Sequence, residues 1–338
     1  MLTAQTKTRG GKSRYVGFEI EYAGVPLWRT AKIIQALYGG DIIEHTKAEW
    51  SVEETLLGTF RLEIDAAPIK RIIAGIHEND TLDDGVLNQL FHKTANSAED
   101  AVTFLGSKIA PMEIIAPPVL IDEIPELDKL RAALFYENAE DTQSSLHHAF
   151  GLHINPDAIA FDAASILRHI QAFALLYPWL KEAHNVDITR RLTPFIAPYS
   201  QEYMKCILAE EYQPDLEELI RDYHHYNTSR NKALDLLPLF AFLKEKLVRS
   251  LYGSEEKIHA RPTYHYRLPN SEISRGDWSL MVEWGRWLAV EQLASNEDQL
   301  NKLQQAWRET DPNWFTELME EDASWSQLIN KIMRRKYA

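Results

Sequence analysis

The sequence predicts an α+β protein, and three observations carry that expectation. The N-terminal half is rich in short segments that alternate apolar and polar residues, the period of a half-buried strand. The C-terminal half carries apolar residues at helical spacing over positions 158–182, 214–226, 231–251 and 279–306. No internal repeat or low-complexity tract appears in either half, so a repeat architecture is excluded.

Taken in order, residues 1–13 are polar and basic and read as a disordered lead-in. The first strand follows in YVGFEIEY, β-branched and aromatic with strict alternation. A helix is expected over 28–38, with Ile33, Ile34 and Leu37 on one face and Gly39-Gly40 as its stop. Residues 41–45, 49–53 and 59–65 read as three further strands, and 78–103 as a helix between loops. A short strand at 111–119 ends in Pro117-Pro118, a helix covers 123–137, and a strand at 149–155 stops at Pro156-Asp157. Among the C-terminal helices, 261–269 returns as a single strand.

Bulk properties exclude several function classes. The 338 residues hold one cysteine, Cys206, so there is no internal disulfide framework and a reducing compartment is expected. No apolar run approaches the roughly 20 residues of a membrane span, and the polar N-terminus lacks an apolar signal core, which together predict a cytoplasmic protein without a membrane partner. The net charge of -14 argues against nucleic acid, whose phosphates need cations. It leaves nucleotides open, because a bridging metal can join phosphate to carboxylate.

The polar side of the strands is the informative feature. Side chains alternate faces with a period of two. Glu19 and Glu21 therefore oppose Phe18, Ile20 and Tyr22, while Arg61, Glu63 and Asp65 oppose Phe60, Leu62 and Ile64. Glu113 stands between Met112 and Ile114; His153 and Asn155 oppose Leu152 and Ile154; His265 and Arg267 oppose Tyr264, Tyr266 and Leu268. If these strands share one sheet, one face is core and the other collects four glutamates, an aspartate, two histidines and two arginines. A polar strand face is commonly just a wet one. Carboxylates facing one another across strands repel unless cations or protons relieve them, however, and oxygen-rich clusters with a histidine suit Mg²⁺ or Mn²⁺.

In this order, GFEIEY from Gly17, GTFRLEIDAAPIK from Gly58, MEIIAPP from Met112, AFGLHINPD from Ala149, TRRLTPFIAPYSQEY from Thr189, RNKALDLLPL from Arg230 and RPTYHYRLPNSEI from Arg261 resemble the amidoligase family of the carboxylate–amine ligase superfamily, whose relatives include glutamine synthetase and glutamate–cysteine ligase. The resemblance implies a glutamine-synthetase-like antiparallel sheet, a partial barrel with one catalytic face covered by helices. It also implies a catalytic domain over 14–290 and a helical extension over 291–338. By the same resemblance Glu19, Glu21, Glu63, Glu113, His153 and His265 are expected to ligate two divalent metals. Arg190, Arg191, Asn155, Lys232 and Arg267 are expected to bind the nucleotide. The closing strand of relatives reads Glu-x-Arg. Here it reads His265-Tyr266-Arg267, and Asp235 stands where relatives often have asparagine. Imidazole in place of that carboxylate shifts metal preference toward Mn²⁺ or Zn²⁺ and lowers the site's negative charge.

The implied reaction is ATP-dependent amide or peptide bond formation through an acyl phosphate, using Mg²⁺ or Mn²⁺. Arg267 and Arg230 would stabilise the transferring phosphoryl group, and Asp65 is a candidate base by position; an ion pair with Arg61 or Lys70 is the structural alternative for it. Small-molecule or peptide acids and amines are the implied substrates. A glutamine-amidotransferase-like pathway partner is also implied, and the oligomeric state is left open. Two rival readings are a nucleotide-independent metal hydrolase and a catalytically altered nucleotide or peptide binder. Gly11-Lys12-Ser13 is not a P-loop, because Thr6 replaces the required glycine and a strand follows instead of preceding. His147-His148 and His224-His225 read as surface or loop residues, Cys206 as a buried thiol, and Trp278, Trp284 and Trp287 as packing residues.

Overall fold

The computed structural model describes residues 4–64, 112–137, 139, 150–186, 196–254 and 256–309. The helix expected at 78–103 lies outside these residues, as do His147-His148, Asp65, Arg190 and Arg191.

Within them the chain is α+β, with nine strands in one sheet and eight α-helices. The strands are β1 Tyr15–Tyr22, β2 Asp41–Thr46, β3 Glu49–Thr55, β4 Gly58–Ile64, β5 Met112–Ile115, β6 Val119–Leu120, β7 Leu152–Pro156, β8 Leu234–Asp235 and β9 His265–Tyr266. They lie in the order β2-β3-β4-β5-β1-β7-β9-β8, with β6 pairing the start of β1. Each strand pairing is antiparallel, and β2 and β8 are left as edges, so the sheet is unclosed.

β1 sits in the middle because it has partners on both sides, β5 and β7. Its Val16, Phe18, Ile20 and Tyr22 are all fully buried, while Glu19 and Glu21 keep partial access to solvent. The apolar face is closed by helices. Helix α1 (Leu27–Tyr38) lies over β3 and β4, with the Tyr38 ring stacked on Phe60 at 5.5 Å. Helices α3 (Ala163–Ala183) and α7 (Leu280–Ser295) close the other end: Phe173 and Trp287 both pack on Tyr266 of β9. Between them come α2 (Ile124–Tyr136), α4 (Gln201–Ile207), α5 (Leu216–Tyr226) and α6 (Leu237–Tyr252), and α8 (Glu297–Arg308) follows. Trp278, Trp284 and Trp287 are core residues, as their spacing suggests. None of the helices in the described residues is long and apolar enough to cross a membrane.

Several boundaries differ from the sequence reading, each for a local reason. The helix expected from 158 starts at Ala163, where the Asp162 side chain accepts from the Ser165 N–H as N-cap. The helix expected from 231 begins instead with strand β8, and α6 starts only at Leu237 with Pro238 in its first turn. The span 279–306 is two helices, broken at Asn296, which caps the second through Gln299 N–H. Of the strand expected over 261–269, only His265 and Tyr266 pair continuously, with Thr263 bridging Asp157 and Asn270 bridging Gly151. Proline at 262 and 269 cannot donate to a ladder, which limits the pairing. Near the N-terminus, Lys7 bridges Ser13, and the Arg9 N–H donates to the Ile159 carbonyl.

Two buried ion-pair networks fix the sheet against α7. Arg14, at the foot of β1, donates both terminal nitrogens to Glu291, and Trp287 Nε1 adds a third bond to that carboxylate at 2.8 Å. Glu283 receives His184 Nδ1, Arg286 Nη1 and Trp278 Nε1, and the other ring nitrogen of His184 meets the Tyr266 hydroxyl at 2.5 Å. Tyr266 lies between His265 and Arg267, so the second network anchors the strand that carries both.

Candidate functional site

Strand register splits the polar face into two parts. In the first, Glu21 of β1 pairs with Glu113 of β5, Glu113 with Glu63 of β4, and Glu63 with Glu49 of β3. Four carboxylates thus form a row across four adjacent strands, with opposite Cβ atoms about 5 Å apart. The row's β1 end is tied down by the Gly151 N–H, which donates to Glu21 Oε2 at 2.6 Å. Glu49 was not singled out from the sequence; only its register with Glu63 brings it into the row.

The second part lies on the other side of β1. Glu19 pairs with His153 across β7 and Gly17 with Asn155; Asp235 pairs with His265 between the two edge-side strands. His153 Nδ1 lies 2.8 Å from Glu19 Oε2, and His265 Nε2 lies 3.7 Å from the same oxygen. The second oxygen, Glu19 Oε1, accepts from Asn155 Nδ2 at 2.9 Å and approaches Arg261 Nη2 at 3.4 Å. Donor atoms of Glu19, His153 and His265 all fall within 4.8 Å of one another, and among the described residues no other histidine, cysteine or carboxylate group of three meets so closely.

Charge surrounds this trio. Asp235, fully buried, accepts from Arg267 Nη2 at 2.9 Å and Arg230 Nε at 3.4 Å, and its other oxygen accepts the Leu237 N–H at the start of α6. His265 Nδ1 faces that carboxylate at 3.8 Å. Burial alone would raise the Glu19 carboxyl, but the His265 ring, the hydrogen bond and charge of His153, and Arg261 outweigh it and hold Glu19 well below the ordinary carboxylate value. The His265 ring is pushed well below the ordinary imidazole value by burial and then by Arg267. A carboxylate and a neutral imidazole are the protonation states that a metal ion requires.

Of the residues expected from the sequence, the structure brings together Glu19, His153, His265, Asn155, Arg267 and Arg230. It sets Glu21, Glu63 and Glu113 beside them in the row. Lys232 Nζ donates to the Pro198 carbonyl at 3.2 Å, and burial lowers its affinity for a proton. Two members were missed. Arg261 shares the sequence parity of His265 and Arg267, so alternation carried two pairs upstream would have found it. Asp235 is hidden because its segment reads as helix, whereas it lies on β8. A cavity of about 470 Å³ lined by Gln5, Glu291 and residues between 288 and 298 contains none of these groups.

A family model described as "Putative amidoligase enzyme" matches residues 12–289. No curated protein and no solved structure matches the chain.

Proposed function

The chain belongs to the amidoligase family, and from that premise we propose that it is an ATP-dependent ligase that joins a carboxylate to an amine through an acyl phosphate. The observation that carries the reading is the meeting of Glu19, His153 and His265 with three guanidinium groups, Arg230, Arg261 and Arg267, on one sheet face. Metal ligands and phosphate-pairing cations side by side are what phosphoryl transfer needs.

The residues present fit divalent metal. Both ring nitrogens of His265 are buried without a hydrogen-bond partner, and donor atoms of Glu19, His153 and His265 lie within 4.8 Å of one another. Glu19, His153 and His265 would hold one ion; a second would fall to the Glu21–Glu113–Glu63 row, whose carboxylates do not meet as closely. Bound metal would offset the charge that builds on the transferring phosphoryl oxygens.

The chain's own groups then divide the work. Arg267 and Arg230 would turn one face to phosphate oxygens while Asp235 keeps both oriented. In the first step an oxygen of the acid attacks the γ-phosphorus, and ADP leaves with the bonding electrons. In the second the amine nitrogen attacks the acyl carbon, phosphate leaves, and the amine proton passes to a carboxylate of the polar face. Small-molecule or peptide acids and amines are the proposed substrates. One observation favours the alternative of a catalytically altered nucleotide binder: Arg267 and Arg230 both donate to Asp235.

Thermal melts with Mg²⁺ or Mn²⁺, alone and with ATP, test the reading beside a Glu19→Gln/Glu21→Gln variant. A ligand at about a hundred times its Kd stabilises by roughly 2.7 kcal/mol, or about 4 °C for a chain of this length. A shift that needs metal and nucleotide together, lost in the variant and followed by amine-dependent ADP release, supports the ligase. No nucleotide shift with either ion sinks it, and binding without turnover moves the assignment to the altered member.

A further inference from the structure

The two halves of the polar face differ in ligand chemistry. The row Glu21–Glu113–Glu63–Glu49 is all carboxylate, whereas the trio beside it offers two imidazoles and a single carboxylate. Magnesium binds through charge and hard oxygen and keeps most of its waters. Manganese, ferrous iron, cobalt and zinc gain strongly from imidazole nitrogen.

The trio is built, and more than an acidic patch. His265 is 5% exposed, and neither of its ring nitrogens has a hydrogen-bond partner. Buried polar atoms left in that state are rare in folded chains and call for an explanation. Its Nε2 faces Glu19 Oε2 at 3.7 Å while its Nδ1 faces Asp235 Oδ2 at 3.8 Å. That is the order carboxylate, imidazole, ligand point, in which an outer carboxylate that closes to hydrogen-bond distance when the metal binds fixes the ring's tautomer and orientation. Asp235 is itself fixed by Arg267, Arg230 and the Leu237 N–H. Glu19 is supported in the same way: Asn155 and Arg261 engage Oε1, which leaves Oε2 toward both histidines. Local charge points in the same direction. One carboxylate among the ligands, with Arg261 close to it, attracts a hard cation poorly, so an ion held here must gain from nitrogen bonding.

We infer that Glu19 Oε2, His153 Nδ1 and His265 Nε2 form a single-ion site for a divalent transition metal, filled without nucleotide and discriminating against Mg²⁺, with Asp235 as the residue that positions His265. This rests on the metal part of the proposed function and is independent of its nucleotide part. The glutamate row remains the place for a harder ion.

The test uses the full chain, stripped with chelator and titrated with Co²⁺ alone while visible absorption is followed. The expected result is one Co²⁺ per chain with nitrogen-dependent bands, displaced by Zn²⁺ but not by about a hundredfold excess of Mg²⁺. Asp235→Asn should weaken Co²⁺ by about 10- to 100-fold, the usual effect of losing an orienting carboxylate. His265→Glu should lose the bands and bind Mn²⁺ or Mg²⁺ in their place, and circular dichroism of each metal-free variant shows whether it has folded. Displacement by Mg²⁺ at concentrations comparable to Co²⁺ overturns the inference, as does Co²⁺ binding that is unchanged in a folded His265→Ala chain. Co²⁺ binding as described with no effect of ATP under any metal would overturn the ligase and leave this site standing. ATP-dependent stabilisation by Mg²⁺ with no Co²⁺ bound by the stripped, folded chain would leave the ligase standing and overturn this site.

Discussion

Glu283→Gln is the perturbation whose consequence follows most directly from the structure. Glu283 is 1% exposed and receives three donors, from His184, Arg286 and Trp278. Burial alone would raise its carboxyl, but the charge and hydrogen bonds of His184 and Arg286 outweigh that and place it below the ordinary value of 4.5. Glutamine keeps the volume and can still accept from Trp278, but it leaves His184 and Arg286 without their anion. Removing one partner of a buried pair costs about 3–5 kcal/mol. Unfolding entropy near 2.1 cal/mol/K per residue makes that a fall in Tm of about 4–7 °C for the whole chain. The pH dependence has a definite sign. A carboxyl whose folded pKa lies below its unfolded one contributes fully above the unfolded value, about 4.5, and loses that contribution as pH falls through the folded value. The gap between wild type and Glu283→Gln should therefore be widest near neutrality and narrow below about pH 4.5. Urea titrations between pH 3.5 and 7 measure it. A gap that stays constant over that range, or a variant as stable as wild type at pH 7, would refute the reasoning.

Two further predictions concern the frame around the site. Arg14 and Glu291 form a buried bidentate pair, so Arg14→Met and Glu291→Leu should each destabilise by about 3–5 kcal/mol while the double variant loses much less than their sum; losses that add within about 0.5 kcal/mol in a denaturant cycle would show that the pair is not coupled. Gly40 has φ +90°, and a Cβ there would stand 2.3 Å from the Glu53 carbonyl oxygen, whereas Gly39 has φ +75° with open space around it. Gly39→Ala should cost only the backbone strain, about 1–3 kcal/mol, and Gly40→Ala clearly more, because the β2–β3 end must also move; equal losses in thermal melts would count against the close approach.

The sequence by itself determined the faces. Alternation in GFEIEY, FRLEI, GLHIN and the segment around His265 assigns Phe18, Ile20, Leu62 and Ile154 to a core and Glu19, Glu21, Glu63 and His153 to the opposite side, because a strand's side chains alternate whatever it pairs with. The ordered motifs carried the family. The tertiary structure decided which of those polar residues meet. Register depends on pairing between segments far apart in the chain, and a shift of two residues preserves every face while changing every neighbour. Alternation therefore could not show that Glu21, Glu113, Glu63 and Glu49 stand in one row while Glu19 turns to His153 and His265. It could not show that Asp235, two residues before a helix, lies on a two-residue edge strand opposite His265. Nor could it show that Arg267 and Arg230 share Asp235, since a two-residue strand carries no period to read and its place is set by the strand beside it.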